Sequence, residues 1–276
     1  MTPTPQDIAA RRKAFRKLHE AGCFVIPNPW DVGSARYLKA LGFKALATTS
    51  SGAAWSHGHA DGAAGLDEVL AHFRALVGAT DLPVNADFEA GYASDPDGVA
   101  RNVRAAIDTG VAGISIEDST GDASKPLRDV ADAVARMRAA RAAIDASGGG
   151  TLLIGRAENF FLGKPDLDDA IRRLKAYSEA GADVLYAPGI KTPEQIRAVV
   201  AAAGPKPVNL LVGSTSELTM KEIAALGVRR VSVGGALARA AWGGFMRAAK
   251  TLAEDGRFDG FAQAASGAEL NKLLGP

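Results

Sequence analysis

The chain has 276 residues, 47% hydrophobic and 23% charged, with 32 Lys plus Arg against 31 Asp plus Glu and a net charge of +1. That balance lacks the basic excess of a nucleic-acid binder, and no apolar run reaches the ~18 residues of a membrane span. The start MTPTPQDIAARRKAF has no apolar signal core, and a lone cysteine, Cys23, excludes an internal disulfide or a cysteine metal cluster. The expectation is a cytoplasmic enzyme-sized protein acting on a small molecule.

In chain order, residues 5–21 read as a leading helix. Eight short apolar runs follow: CFVIP (23–27), KALATT (44–49), PVNAD (83–87), GISIED (113–118), TLLIGR (151–156), DVLYAP (183–188), PVNLLV (207–212) and RRVSVG (229–234). Their onsets lie 21 to 39 residues apart, as βα units require. Unbroken apolar strings mark strands covered on both faces. The segments between carry helix punctuation. Asp95-Pro96 pairs a capping side chain with a proline at the first helical position, and Gly110 ends that helix. From about Asp129, the residues Val130, Val134, Met137 and Ile144 recur at helical spacing, with Arg136 and Arg138 expected to point away. Thr192 to Gln195 and Thr219 to Glu222 read as capping boxes, stopped by Gly204 and Gly227. After the eighth run, stretches 236–254 and 258–273 supply one helix more than a barrel needs.

The pattern predicts a (β/α)₈ barrel, one domain over residues 1–276 that includes a helical extension over about 236–276. An open doubly wound sheet is the alternative. No G-x-G-x-x-G follows the first run, and Gly148-Gly149-Gly150 precedes a strand, which speaks against dinucleotide binding.

A barrel assembles its site from the C-terminal ends of its strands. Those ends carry Asn28 and Asp31, then Ser50, Ser51 and Gly52, then Asp87 and Glu89. Glu117, Asp118, Arg156, Glu158, Tyr186 and Asn209 continue the series. Carboxylates converging on one mouth repel one another unless a cation sits among them. Oxygen donors without His or Cys suit Mg²⁺, or Mn²⁺, better than zinc. The alternative is that the acids cap loops or pair with Arg156 structurally.

The segments ATTSSGAAWSHGHAD (47–61), VNADFEAGY (84–92), GISIEDS (113–119), GRAENFFLG (155–163) and GADVLYAPG (181–189) stand out. Through them nearly the whole chain resembles the isocitrate lyase/phosphoenolpyruvate mutase superfamily. The resemblance implies a barrel whose last helices are swapped between neighbours in a homotetramer, or at least a dimer. It implies that the backbone N–H groups of Ser51, Gly52 and Ala53 receive the substrate's carboxylate or phosphonate. Asp87 and Glu89 match the magnesium-holding acids, with Glu117 in the same shell. Asp61 matches a carboxylate behind that shell, where Asp118 and Glu158 are also expected. Arg156 matches the arginine whose planar fork clamps the substrate's anionic end.

Two departures matter. Lyases of the family that act on isocitrate or methylisocitrate carry a K-K-C-G-H loop. Here that stretch is STGDASKPLRD (119–129), without cysteine or histidine, which argues against isocitrate lyase activity. The usual D-A-D-T-G-Y-G has become D-F-E-A-G-Y-A, so Glu89 replaces a shorter Asp.

The expected activity is magnesium-assisted C–C cleavage of a small 2-oxo or 2-hydroxy carboxylate, like oxaloacetate, an alkylmalate or an alkylcitrate, through a pyruvate-type enolate. Arg156, Glu117 and Tyr186 are the candidate catalytic residues, and Ser51, Gly52, Ala53, Arg156 and Asn209 the candidate substrate contacts. One alternative is a phosphorus–carbon bond enzyme, weakened because Tyr186 stands where those enzymes place histidine. Another is a non-catalytic oxo-acid-binding protein, left open by the missing cysteine. The turns VGSTSE (212–217) and VGGALA (233–238) suit a phosphate, as in a phosphosugar isomerase or aldolase. His57 and His59 form an H-x-H that suits a solvated or gating loop better than a metal pair. Cys23 opens the first strand, at the wrong end for catalysis, and reads as a small buried hydrophobe. Lys125 reads as a solvated loop lysine, and no strand's C-terminal half carries the lysine of a Schiff-base aldolase.

Overall fold

The strands of the computed structural model, which describes residues 3–148 and 150–275, fall inside the eight apolar runs. They are β1 (Phe24–Ile26), β2 (Leu46–Ala47), β3 (Val84–Asp87), β4 (Gly113–Glu117), β5 (Leu152–Arg156), β6 (Val184–Tyr186), β7 (Val208–Leu211) and β8 (Arg230–Ser232). Every pair is parallel, in the order β1-β8-β7-β6-β5-β4-β3-β2. The seam left between β1 and β2 is bridged by the Ala47 N–H donating to the Pro27 carbonyl at 3.0 Å. The sheet is a nearly closed (β/α)₈ barrel, not an open doubly wound sheet. Gly149, in the triple-glycine run, lies outside the described residues.

The helices are α1 (Pro5–Leu18), α2 (Val32–Ala40), α3 (Ser50–Ser56), α4 (Leu66–Ala79), α5 (Pro96–Ile107) and α6 (Val130–Ala146). They continue with α7 (Leu167–Glu179), α8 (Pro193–Ala203), α9 (Met220–Ala225), α10 (Ala236–Asp255) and α11 (Gly267–Leu274). The expected punctuation is in place. Asp95 accepts from the Gly98 N–H ahead of Pro96, and Thr192–Gln195 and Thr219–Glu222 form reciprocal capping boxes. Helix α1 closes the barrel floor: Phe15 is fully buried against Ile26, Leu152, Ile154 and Val184. The Arg12 guanidinium fastens α1 by donating to the carbonyls of Val111 and Ile107. A larger apolar layer lies between the strands and the helix ring. Among the described residues no helix is long and apolar enough to cross a membrane.

Three local expectations are corrected. Residues 50–56 are a short helix, α3, capped by the Thr49 side chain, rather than a turn. The stretch 258–273 is a 3₁₀ turn at Asp259–Phe261 followed by α11. Arg136 does not point away from α6. It is 1% exposed, donates to the carbonyls of Ala93 and Ser94, and pairs with Asp132. The buried face of α6 is Ala133, Met137, Ala140 and Ile144, with Val130 and Val134 half-buried. Small alanines let α6 come close, and the guanidinium satisfies loop carbonyls that water cannot reach.

Candidate active site

Three strand ends converge on one guanidinium. Arg156, the last residue of β5, places Nη1 2.6 Å from Asp87 Oδ1, Nη2 3.0 Å from Glu117 Oε2 and Nε 2.9 Å from Glu158 Oε1. Glu117 and Arg156 are register partners across β4 and β5, so they share a face of the sheet. Short polar neighbours aim each acid. Ser50 donates its N–H and its hydroxyl to Asp87 Oδ2, both at 2.9 Å, and the Asp87 N–H donates to Thr48 Oγ1. Ser119 donates to Glu117 Oε1 at 2.6 Å.

Glu89 joins the group from the loop after β3. Its φ is +43° and that of Tyr92 is +51°, left-handed values that cost a non-glycine residue of order 1–2 kcal/mol each. The strain is held by packing of the Tyr92 ring on buried Phe88 and by a 2.7 Å hydrogen bond from Tyr92 Oη to Glu89. Asp61 sits at the rim, on the loop after α3. Burial is the chief force on Glu89, Glu117, Glu158 and Asp61. It raises Glu89 to about 7, with Asp87, Glu117 and Asp61 adding to the rise against the Tyr92 hydrogen bond. Burial also raises Glu117 and Glu158, opposed by Arg156. At Asp61 partial desolvation and then Asp87 act in the same direction. Arg156 is itself desolvated, yet Glu117, Glu158 and Asp87 hold it firmly protonated.

The mouth thus carries more carboxyl groups than one arginine pairs with, their charged forms are disfavoured without a further cation, and its donors are oxygens. That chemistry fits a hard divalent cation. Among the described residues the acids do not form a ready-made ligand set, because Arg156 stands between them.

Several residues expected at the mouth lie elsewhere. Asp31 caps α2 by accepting from the Ser34 N–H. Asn28 donates to the Thr48 carbonyl and accepts from the Val233 and Gly234 N–H groups, both at 2.9 Å. It thereby occupies the amides of the VGGALA turn that a phosphate would need. Asp118 follows Glu117 and so faces the opposite way, as strand alternation dictates. It is 1% exposed, accepts from Arg173, Tyr177 and the Glu158 N–H, and ties β4 to α7 behind the mouth. Asn209 is the second residue of β7, fully buried, with both amide atoms engaged by Arg230 and Ser232. It supports the mouth from below instead of touching a substrate.

Ser51, Gly52 and Ala53 form the first turn of α3. The Gly52 and Ala53 N–H groups are taken by the Thr49 hydroxyl and carbonyl. The Ser51 N–H has no partner among the described residues. Tyr186 ends β6 with its ring 5.2 Å beneath the Arg156 guanidinium. Burial pushes its phenol up to about 12, with Arg156 pulling it back. His57 and His59 flank the same carboxylate, Glu68, at 3.5 and 3.8 Å. Cys23 is half-buried at the start of β1, against the core, with its thiol raised by burial. Lys125 pairs with Asp129 on the exposed β4 loop.

Sequence reasoning missed Thr48, Ser119, Ser232 and Arg230. Only Arg230 had a signal. Two places before Ser232 in an alternating strand, it shares that residue's face, although Arg229-Arg230 reads locally as a solvated charge pair.

A family profile described as phosphoenolpyruvate phosphomutase matches residues 15–253. A protein of Burkholderia cenocepacia J2315, provisionally assigned as a lyase or mutase, has a solved structure 48% identical over 98% of each chain, with a TM-score of 0.94. The crystal structure of 2,3-dimethylmalate lyase is 29% identical over 99% of this chain and 96% of that one, with a TM-score of 0.85. The oxaloacetate decarboxylase of Bradyrhizobium sp. (strain ORS 278) is 31% identical over 236 residues, 81% of this chain and 77% of the relative.

Proposed function

The chain belongs to the phosphoenolpyruvate phosphomutase family, and on that premise we propose that it is a divalent-metal-dependent lyase. It breaks a C–C bond in a small 2-oxo or 2-hydroxy carboxylate by decarboxylation or retro-aldol cleavage. The observation that carries this reading is the all-oxygen acid cluster of Asp87, Glu89 and Glu117 beside the single clamp Arg156.

Those three acids are the residues that would hold Mg²⁺. When bound, the metal supplies Lewis-acid polarisation and neutralises charge where an enolate develops. The chain's own residues do the rest. Arg156 and the Ser51 N–H orient the substrate's anionic end, and Glu158 fixes the Nε edge of the guanidinium so that its plane is set. Ser50 and Ser119 hold Asp87 and Glu117 in place. Decarboxylation asks least of this site, because departing CO₂ needs no base. A retro-aldol cleavage needs a hydroxyl deprotonated, a task for Glu117, whereas Tyr186, held protonated by burial, can only donate. The phosphorus–carbon reading is second, disfavoured by tyrosine at the end of β6.

We also infer a homo-oligomer. Trp242, Phe245 and Met246 on α10, with Phe258 and Phe261 beyond it, are exposed large apolar groups. A second copy of the chain, receiving the final helices, covers them.

The test is a magnesium-supplemented panel of oxaloacetate, alkylmalates, alkylcitrates and phosphonopyruvate, read by release of pyruvate or its homologue. Turnover of an oxo or hydroxy acid that stops in excess chelator is expected. Asp87→Ala should reduce it at least 100-fold while the melting temperature stays within a few degrees. Turnover of phosphonopyruvate alone moves the assignment to the phosphorus–carbon reading, and no turnover at all leaves the binding-protein reading.

A further inference from the structure

Behind the mouth, Asp118 meets one stripe of α7. Asp169, Arg173 and Tyr177 stand four residues apart on that helix, so their side chains lie above one another. Asp118, Arg173, Tyr177 and Glu158 are all buried. Asp118 Oδ2 accepts from Arg173 Nη1 at 3.0 Å and from Tyr177 Oη at 2.5 Å. Asp118 Oδ1 accepts from the Glu158 N–H at 2.9 Å. Arg173 Nη1 also donates to the Arg128 carbonyl at 2.8 Å, and its Nε donates to Asp169 Oδ2 at 2.7 Å.

Arg128 closes the loop that follows β4. Its N–H returns to the Asp118 carbonyl at 2.9 Å, and its Nε donates to the Ser119 carbonyl at 3.0 Å. Ser119 and Leu127 pair as an antiparallel bridge, and the Thr120 N–H donates to the Pro126 carbonyl at 2.9 Å. These bonds are the stem of the loop. On the other side of Asp118, the Glu158 carboxylate holds Arg156 Nε at 2.9 Å. The Arg173 fork therefore stands between the loop stem and the residue that sets the Arg156 plane. A guanidinium, with donors at fixed angles, spans a carbonyl and two carboxylates on three segments at once, and an ammonium does not. Stability alone gives little reason to bury the Asp118–Arg173 pair, since apolar side chains of equal volume often serve a fold as well.

We propose that Arg173 is a positioning residue: through Asp118 it joins the stem of the 119–128 loop to Glu158, so that order in the loop and the orientation of the Arg156 guanidinium rise and fall together. Loosening the stem frees the Glu158 backbone, its carboxylate leaves Nε, and the guanidinium loses its fixed plane. The substrate's anionic end is then held less tightly, so KM rises more than kcat falls. The effect on KM rests on the lyase reading above, whereas the coupling itself belongs to the substrate-free protein.

Two variants break the link from different sides. Arg173→Lys keeps the charge beside Asp118 but not the fork. Arg128→Ala removes the bond to Ser119 and the ion pair with Asp132, and leaves Arg173, Asp118 and Tyr177 as they are. It carries the test if R173K does not fold. Tyr177→Phe is the control: it takes a hydrogen bond from the same buried carboxylate and keeps the volume, and Tyr177 makes no side-chain hydrogen bond to the loop among the described residues.

Amide hydrogen exchange on the substrate-free proteins is the first readout. In R173K and R128A the amides of Thr120 and Glu158 should both exchange at least tenfold faster, with those of β1 and β8 unchanged. Steady-state kinetics with the best substrate of the panel above is the second. KM should rise at least fivefold in R173K with kcat within threefold, and should stay within twofold in Y177F although its melting temperature falls. An unmoved Glu158 amide in R128A overturns the coupling. A KM raised as much in Y177F as in R173K shows that the pair acts through stability alone and overturns the positioning role. Absence of turnover in the native enzyme overturns the lyase reading and the effect on KM together, and a Glu158 amide quickened in R128A then still upholds the coupling.

Discussion

His19 sits under the barrel floor with Nδ1 donating to the Phe15 carbonyl and its ring edge-on to Phe15 and Phe24. Burial, and then the charge of Arg230, lower its pKa to about 3 from an ordinary 6.5. The folded protein therefore keeps His19 neutral where the unfolded chain would take up a proton. The stability from this group is complete above about pH 6.5 and is lost progressively as the pH falls toward 3. At pH 5 the loss amounts to about 2 kcal/mol, from 2.303RT multiplied by the roughly 1.5 pH units crossed below the unfolded pKa. In urea unfolding followed from pH 7 to pH 5, His19→Gln should lose less stability than the native chain by up to that amount. Equal slopes for the two proteins would show that His19 is not buried as described. The same residue-level logic governs the mouth, where three carboxylates pair with one guanidinium and burial raises Glu117, Glu158 and the neighbouring Glu89.

At the scale of elements, the position of α3 decides whether Ser50 reaches Asp87. Two glycines make room for it. A Cβ on Gly52 would lie 2.7 Å from Thr49 Cγ2 and 2.9 Å from Trp30 Cβ, both packed carbons with nowhere to go. A Cβ on Gly235, at the N-terminus of α10, would meet the Ser51 hydroxyl at 2.8 Å, and that hydroxyl can rotate. Gly52→Ala should therefore cost about 1–3 kcal/mol, the usual penalty of overpacking, and should depress turnover by pulling Ser50 off Asp87. Gly235→Ala should be the milder change in melting temperature. A Gly52→Ala protein with native melting temperature and activity would contradict the close packing. The turns after β7 and β8 serve the same packing. Asn28 fills one of them, and the Arg239 side chain donates to the Gly213 carbonyl of the other.

At the scale of the whole molecule, the barrel buries its own core, but the final helices do not bury theirs. Phe245 is 62% exposed, Met246 61% and Phe258 68%, and neither α11 nor the 3₁₀ turn has a buried residue. Contiguous exposed apolar groups of this size mark an interface. Light scattering at micromolar concentration should give a dimer or tetramer, and Phe245→Asp should shift it toward monomer without unfolding the barrel. A native chain that scatters as a monomer would remove the assembly.

Local pattern alone determined the strands, most helix starts and the acid-rich strand ends, because apolar period, caps and breakers act within a few residues along the chain. Asp95-Pro96, the two capping boxes and the eight apolar runs needed no partner to be read. Which side chains meet was decided only by the tertiary structure. Glu117 and Asp118 are adjacent acids, yet one reaches Arg156 and the other turns back to Arg173 and Tyr177. Arg136 and Arg230 look like surface charges, yet both are buried on polar partners from distant segments. The reason is register. The offset between neighbouring strands sets which residues share a level of the barrel, and that offset comes from closing the sheet around a packed interior, not from any single segment's sequence.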